Sequence, residues 1–393
     1  MHDVFLGRVF SLFLRRALLL FFWLPWQASG SAVEIADPKL ARAIADKLGV
    51  PEHELSQQHL SALQQLDIRQ RGISTLSGLE HATDLRVLLA SDNQISDLTP
   101  LADLTQLTNL DVSRNQINNI SMLERLDSLI GFSAEHNQLR SVDVVSHWSH
   151  IRGLDLGFNQ ISDLTALRDS HSLVAVWAPH NHIASLEPLA GLSNLKILSL
   201  GNNRFGDIKP LTSLENLVEL SLPESELSDL TPLPGLRNLE RLDLQQNKIT
   251  DLRPLAGLNS LRWLDLRRNQ IAELAPLMQL ESLQKLFLAN NRIVNLSPLS
   301  GLGQLEWLVL DGNFIETIAP LLQLQQLKAL SVTGNHLADD VLDQLLKHSI
   351  TLQQLNALFV QPQSPVSIFA DVPGQQPRQR DYDAEVMAGD ANG

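Results

Sequence analysis

The chain has 393 residues, 44% of them hydrophobic, and a net charge of −14. The first 32 residues carry three Arg and one Asp, leaving 27 basic and 43 acidic residues, a charge of −16, which argues against nucleic acid and anionic lipid because both partners require Lys and Arg. There is no cysteine, so disulfides, thiolate metal sites, thiol catalysis and anchoring through a lipidated Cys are excluded.

Residues 1–32 read as a secretory signal. Arg8, Arg15 and Arg16 form a basic leader, Ala17 to Leu24 is an unbroken apolar run, Pro25 ends it, and Ala28 to Ala32 are small. Eight apolar residues reach only about 12 Å, short of the ~30 Å hydrocarbon core. Cleavage after Gly30 or Ala32 fits the small-residue rule. No later segment is long and apolar enough to cross a membrane, so no stable insertion of the mature chain is expected.

Residues 33–62 are expected to form a helical N-terminal cap. Leu40, Ala43, Ile44, Ala45 and Leu48 make an apolar stripe at helical spacing before Gly49 and Pro51. Leu55, Leu60 and Leu63 suggest a second short helix.

Residues 63–342 are a repeat without slippage. Asn stands at 93, 115, 137, 159, 181, 203, 247, 269, 291, 313 and 335, and Arg71 and Ser225 fill the two remaining places of a 22-residue register. This gives thirteen copies. One reads Leu239-Glu-Arg-Leu-Asp-Leu-Gln-Gln-Asn247, then Lys-Ile-Thr-Asp-Leu-Arg-Pro-Leu-Ala-Gly-Leu258. In Leu242-Asp243-Leu244 the leucines point inward and Asp243 outward, as a strand requires. The Asn closes the turn, where its amide can satisfy buried backbone groups. Pro at 100, 188, 210, 232, 254, 276, 298 and 320 marks a return through short 3₁₀ turns rather than long helices. The fold class expected is an α/β repeat: a leucine-rich-repeat solenoid, a right-handed β/3₁₀ superhelix with a parallel concave sheet and helical caps.

The repeat, with Asn93-Gln-Ile-Ser-Asp-Leu-Thr-Pro-Leu101 as an example, and the preceding Asp37-Pro38-Lys39-Leu40 resemble the bacterial internalin family. The resemblance covers roughly residues 36–342 and implies a small helical cap at the front. It is specific for the fold and says little about the ligand.

A C-terminal cap is expected over 336–360, from the stripe Val341, Leu342, Leu345 and Leu346 and the apolar Leu352, Leu355, Leu358 and Phe359. Residues 361–393, rich in Gln, Pro and Gly, are expected to be disordered.

The register names the outward positions of the sheet. One cluster there is Trp263, Lys285, Phe287, Trp307 and Val309, with Arg241 and Arg267 alongside. Aromatics make up only 5% of the chain, and exposed Trp, Phe and Arg carry most binding energy in interfaces. The cluster is either a partner site or ring packing that stiffens the sheet. A second patch holds Trp177 and Phe158 with His136, His180 and His182. His136 and His180 lie two strands apart, too far to share one ion at ~2 Å bonds, so neither metal nor cofactor is expected. Asp67, Asp111, Asp155, Asp243 and Asp265 form an outward row, a solvated face or a site for a basic ligand.

No Gly-rich phosphate loop, His-Glu-x-x-His or Gly-x-Ser-x-Gly sequence occurs. The sequence therefore reads as a non-enzymatic module, secreted or periplasmic, that binds a protein on its concave face. Two alternatives stay open: an envelope scaffold or adhesin binding glycan, and an intracellular protein, since the repeat also resembles a regulatory subunit of a eukaryotic protein phosphatase. Amino-terminal sequencing of the exported protein is expected to start at Ser31 or Val33. An intact Met1 in cytoplasmic protein would contradict the signal.

Overall fold

The computed structural model describes residues 33–337 and the backbone of Leu358–Phe359. The signal at 1–32, nearly all of the cap at 336–360 and the tail at 361–393 lie outside the described residues.

Among the described residues two α-helices precede the sheet. Helix α1, Pro38–Leu48, starts at Asp37, whose carboxylate accepts from the Lys39 N–H at 2.9 Å, and ends at Gly49 with φ +70°. It buries Leu40, Ala43, Ile44 and Ala45. Asp37 also accepts from the Ser74 N–H at 2.8 Å, tying the helix to the first repeat. Burial pushes this carboxyl up, but the backbone N–H groups of Ser74, Lys39 and Leu40 and the Ser74 hydroxyl hold it below its ordinary value. Helix α2 is shorter than the leucine spacing suggested. It spans Gln57–Ser61 and contains only Leu60, while Leu55 and Leu63 are buried on either side of it.

One open parallel sheet follows, its strands in sequence order. Strand β1 is Gln65–Asp67, β6 Ala175–Trp177, β7 Ile197–Ser199, β8 Glu219–Ser221, β9 Arg241–Asp243, β10 Trp263–Asp265, β11 Lys285–Phe287, β12 Trp307–Val309 and β13 Ala329–Ser331. Each is three residues long and pairs in register with the next copy, as in Leu242↔Leu264 and Leu264↔Leu286. The central residue of each three-residue strand, such as Leu242, Leu264 and Val176, is buried and its neighbours face the concave side. A two-residue strand β14, Leu358–Phe359, extends the sheet beside β13. It falls in the stretch where a helical cap was expected.

The return path is a series of 3₁₀ turns, with the recurrent Pro second in the turn, as Pro100, Pro254 and Pro298 are, or just before it, as Pro232 is. The Asp of Asp-Leu-x-Pro-Leu caps each turn: Asp97 accepts from the Thr99 N–H at 2.8 Å and Asp251 from the Arg253 N–H at 2.9 Å. Asn119 and Asn295 do the same for Ser121 and Ser297.

The Asn column holds neighbouring copies together. Asn181 donates to Leu156 O in the preceding copy and Ala178 O in its own, and accepts from the Ile161 N–H at 2.9 Å. Asn93 through Asn335 repeat the pattern. The residue before each column member, from Gln70 to Gly334, has a positive φ. Eleven of these, Gln70 to Asn290, are not glycine; each holds the left-handed turn while its N–H bonds the next copy, as His180 bonds Gly201 O at 2.8 Å.

Ser225 breaks the column. Its hydroxyl reaches only Pro223 O, and among the described residues the buried Phe205 N–H has no partner where Ile161 has Asn181. Asn181→Ala orphans the Ile161 N–H and leaves Leu156 O with only Asn159 and Ala178 O with only Asn203 as amide donors, and is expected to cost about 2 kcal/mol. Ser225→Asn is expected to add about 1 kcal/mol by capturing the Phe205 N–H. Thermal unfolding of both variants checks this; equal small effects would deny the column its role.

Candidate partner-binding surface on the concave sheet

Because every copy keeps the same register, outward side chains fall into rows across the sheet. One row runs Glu219, Arg241, Trp263, Lys285, Trp307 and Ala329, each beside the next in paired strands. The adjacent row runs Ser221, Asp243, Asp265, Phe287, Val309 and Ser331.

The sequence-predicted cluster comes together in these rows. The Arg241 guanidinium lies 3.9 Å above the Trp263 ring centre and ion-pairs with Glu219 at 3.3 Å. Trp263 and Phe287 tilt against each other at 5.5 Å. The Arg267 guanidinium lies 5.4 Å from the Phe287 ring and clasps both carboxylate oxygens of Asp265, donating from Nε to Oδ1 at 3.0 Å and from Nη2 to Oδ2 at 2.5 Å. The Lys285 ammonium lies 5.6 Å over Trp307. Cations over ring faces are attracted by the ring quadrupole and worth more as water is excluded. All seven residues are half-buried rather than open, because each leans on a neighbour one strand away.

Glu219 was not singled out by the sequence reading, though its position one copy before Arg241 was the available signal. Asp265 was read as part of an outward row; it is 0% exposed beneath Arg267. The row as a whole serves the backbone. Asp67, Asp111, Asp155, Asp243 and Asp265 each accept from the N–H two residues on, a group that no neighbouring strand engages.

The second patch needs a correction. Trp177 is 5% exposed and packs with Ala175 and Ile197 in a small apolar cluster on the concave side. Small neighbours, Gly153 and Ala175 in one row and Ser199 in the next, leave the indole room to settle against the sheet. Beside it the edge alternates Gly157, Pro179, Gly201 and Pro223. A Cβ at Gly201 would stand 2.5 Å from Pro223 Cγ, so the ring of one copy fills the place of the other's side chain. Phe158 is 38% exposed but sandwiched, stacked on His136 at 4.0 Å and His180 at 4.2 Å. Among the described residues no three His, Cys, Asp or Glu are placed to hold a metal ion, and no helix is long and apolar enough to cross a membrane.

Charge in the cluster is finely placed. Burial pushes the Asp243 carboxyl up to about 7, the Asp265 charge adds to this, and the Gln245 N–H, Arg241 and Arg267 oppose it. Burial also raises Glu219, against the pull of Arg241. Burial works against the Arg267 charge, but Asp265 and Asp243 hold that guanidinium above its ordinary value.

Family models agree with the architecture: one described as Leucine rich repeat matches residues 215–271, and one described as Leucine Rich repeats (2 copies) matches 83–125, 172–213 and 259–301. No curated protein matches the chain. An internalin (inlF) from Listeria monocytogenes is similar over 83% of this chain and 96% of its own, with 29% identity and a TM-score of 0.78. A leucine-rich-repeat protein of Leptospira interrogans is similar over 81% of this chain and 98% of its own, with 21% identity and a TM-score of 0.68. The ectodomain of the plant receptor kinase GASSHO1/SCHENGEN3 from Arabidopsis thaliana, solved with Casparian strip integrity factor 2, matches 72% of this chain and 40% of its own, with 20% identity and a TM-score of 0.55.

The raised Asp243 carboxyl makes a stability prediction. Unfolded, it ionises near 3.8, and folded near about 7, so the folded state holds the extra proton between those values and loses stability as pH rises through them. Asp243→Asn keeps an acceptor for the Gln245 N–H and removes that charge. It is expected to melt above the wild type at about pH 8 and to lose the advantage by about pH 4. A difference independent of pH in thermal melts would contradict the assignment.

Proposed function

We propose, from the premise that the chain is a bacterial leucine-rich-repeat protein of the internalin-like 22-residue class, that it is an exported, non-enzymatic binding module. It recognises a protein partner on the concave face of its sheet, at β9–β12. The organisation that goes with this is a signal at 1–32, a cap at 33–62, repeats over 63–342, a cap at 336–360 and a disordered tail at 361–393. The mature protein acts in the periplasm or outside the cell.

One observation carries the reading. Trp263, Phe287 and Trp307 converge with Arg241, Lys285 and Arg267 on adjacent strands of one face, in a chain with 5% aromatic residues. These are the residue types of interface hot spots, and here they are pre-packed, so little side-chain entropy remains to be lost on binding. Half-burial suits this: the rings are anchored but still present surface. A plant neighbour of this fold was solved in complex with Casparian strip integrity factor 2, which supports a binding role.

The arrangement favours protein over glycan. Saccharides stack on open indole faces, whereas Arg241 covers Trp263 and Lys285 lies over Trp307. Guanidinium and ammonium groups over rings instead present donors to carboxylates and carbonyls.

The test pairs the purified protein with its Trp263→Ala/Phe287→Ala/Trp307→Ala variant. Both are offered to envelope and host-surface extracts, and any retained protein is identified and reconstituted. The wild type is expected to bind the purified partner more tightly by about 2 kcal/mol or more. Equal affinity for a folded triple variant would remove the site, and glycan binding without a retained protein would overturn the partner class.

A further inference from the structure

We propose that the Lys285 ammonium is the subsite for a side-chain carboxylate of the protein partner, an Asp or Glu set beside an apolar residue that meets Trp263 and Trp307. The inference rests on the proposed role of the concave face and goes further, because it assigns the chemistry of what docks there.

The cations on outward strand positions are Arg69, Arg241, Arg267 and Lys285. Three are satisfied from within: Arg69 by Asp67 at 2.7 Å, Arg241 by Glu219 at 3.3 Å and Arg267 by Asp265 at 2.5 Å. Among the described residues Lys285 has no carboxylate within ion-pairing distance.

The register explains why. At its own level Lys285 stands beside Trp263 on one side and Trp307 on the other, where Arg241 has Glu219. The acids of the neighbouring strands are committed elsewhere. Asp265 is clasped by Arg267 and accepts its N–H. Asp311 accepts from the Ser331 and Thr333 hydroxyls and the Thr333 N–H, at 2.5 to 2.7 Å. Glu306 pairs with Lys328 at 2.8 Å, and Asp243 stands two strands from Lys285, so no acid of the cluster is left for the ammonium.

The side chain is also held in place. It is half-buried, with its ammonium over the Trp307 ring, and such a cation is poorly compensated for the water it has lost. An incoming carboxylate would supply a charge-assisted hydrogen bond in an apolar surround, where the bond is stronger than in water. Charge complementarity therefore names the occupant: an anionic group small enough to sit between two indoles, on a segment apolar enough to cover them. A cationic segment would meet the Lys285 charge with Glu219 and Asp265 already paired to Arg241 and Arg267, and a neutral one would bury the ammonium unpaired.

A random-peptide library selected on the full chain tests this, with Lys285→Met and Lys285→Arg screened in parallel. Enriched sequences are synthesised with amidated carboxyl ends, so that only side-chain carboxylates are read. Peptides that need Trp263 and Trp307 are expected to carry Asp or Glu next to an aromatic or aliphatic residue. Their affinity is expected to fall about tenfold on Lys285→Met, to survive Lys285→Arg, and to fall no further when the peptide's acid is also made an amide. Unchanged melting of Lys285→Met shows that the loss is not unfolding. Peptides that need the two tryptophans yet bind equally well without an acid would overturn the Lys285 assignment and leave the concave-face reading standing. Enrichment of nothing that depends on Trp263 or Trp307 would overturn both.

Discussion

The side-chain amide of the recurrent Asn is the constraint on which this structure depends. A 22-residue copy must turn sharply at the end of a three-residue strand, and the turn strands backbone donors and acceptors inside the core. Each Asn answers donors and acceptors of two copies at once, as Asn247 does for Leu227 N–H, Leu222 O and Leu244 O. An amide is suited to this because it donates and accepts from one planar group. The length of the copy is thereby locked, and so is the register of every strand against the next.

A locked register turns a linear sequence into rows. Residues 22 apart become neighbours, and most contacts of the sheet face join residues 20 to 24 apart, with the Arg267–Asp265 clasp made within one copy. The cluster at β9–β12 is built this way. Glu219 holds Arg241, Arg241 covers Trp263, Trp263 leans on Phe287, and Phe287 lies by Arg267, which Asp265 clasps from below. Lys285 and Trp307 stand beside this chain as a separate pair. The same rule buries Trp177: its row neighbours are small, so the indole folds down on Ala175 and Ile197 instead of standing in an aromatic row.

The fold was legible because its signal is repetition. Eleven asparagines and eight prolines in register leave one architecture, and the prolines point to the 3₁₀ return, which the Pro-free turns Ser121–Leu123 and Thr165–Leu167 also adopt. The membership of the cluster was legible for the same reason, since the register lists what faces outward. Exposure was not, because it depends on the bulk of neighbours in the copies on either side. Trp177 and Trp263 are both outward in the register, in adjacent rows, and differ in what flanks them. The Asp row was legible as outward-facing but not as backbone caps: Asp155 and Asp265 point along their own strand toward the N–H groups of Gly157 and Arg267. The length of α2 also escaped, because Leu55 and Leu63 are buried by turns rather than by a helix.

The most direct test of the account follows the tryptophans themselves. Of the six in the chain, Trp23 and Trp26 lie in the proposed signal, and the described residues hold Trp148, Trp177, Trp263 and Trp307. Trp148 is buried in the core against Phe132, with its indole N–H on Leu123 O. Fluorotryptophan labelling therefore reports the core, the small concave cluster and the proposed site in one fluorine NMR spectrum. On adding the captured partner, the Trp263 and Trp307 resonances are predicted to shift while those of Trp148 and Trp177 stay. A shift confined to Trp177, or none at Trp263 and Trp307 under saturating partner, would contradict the placement of binding on β9–β12.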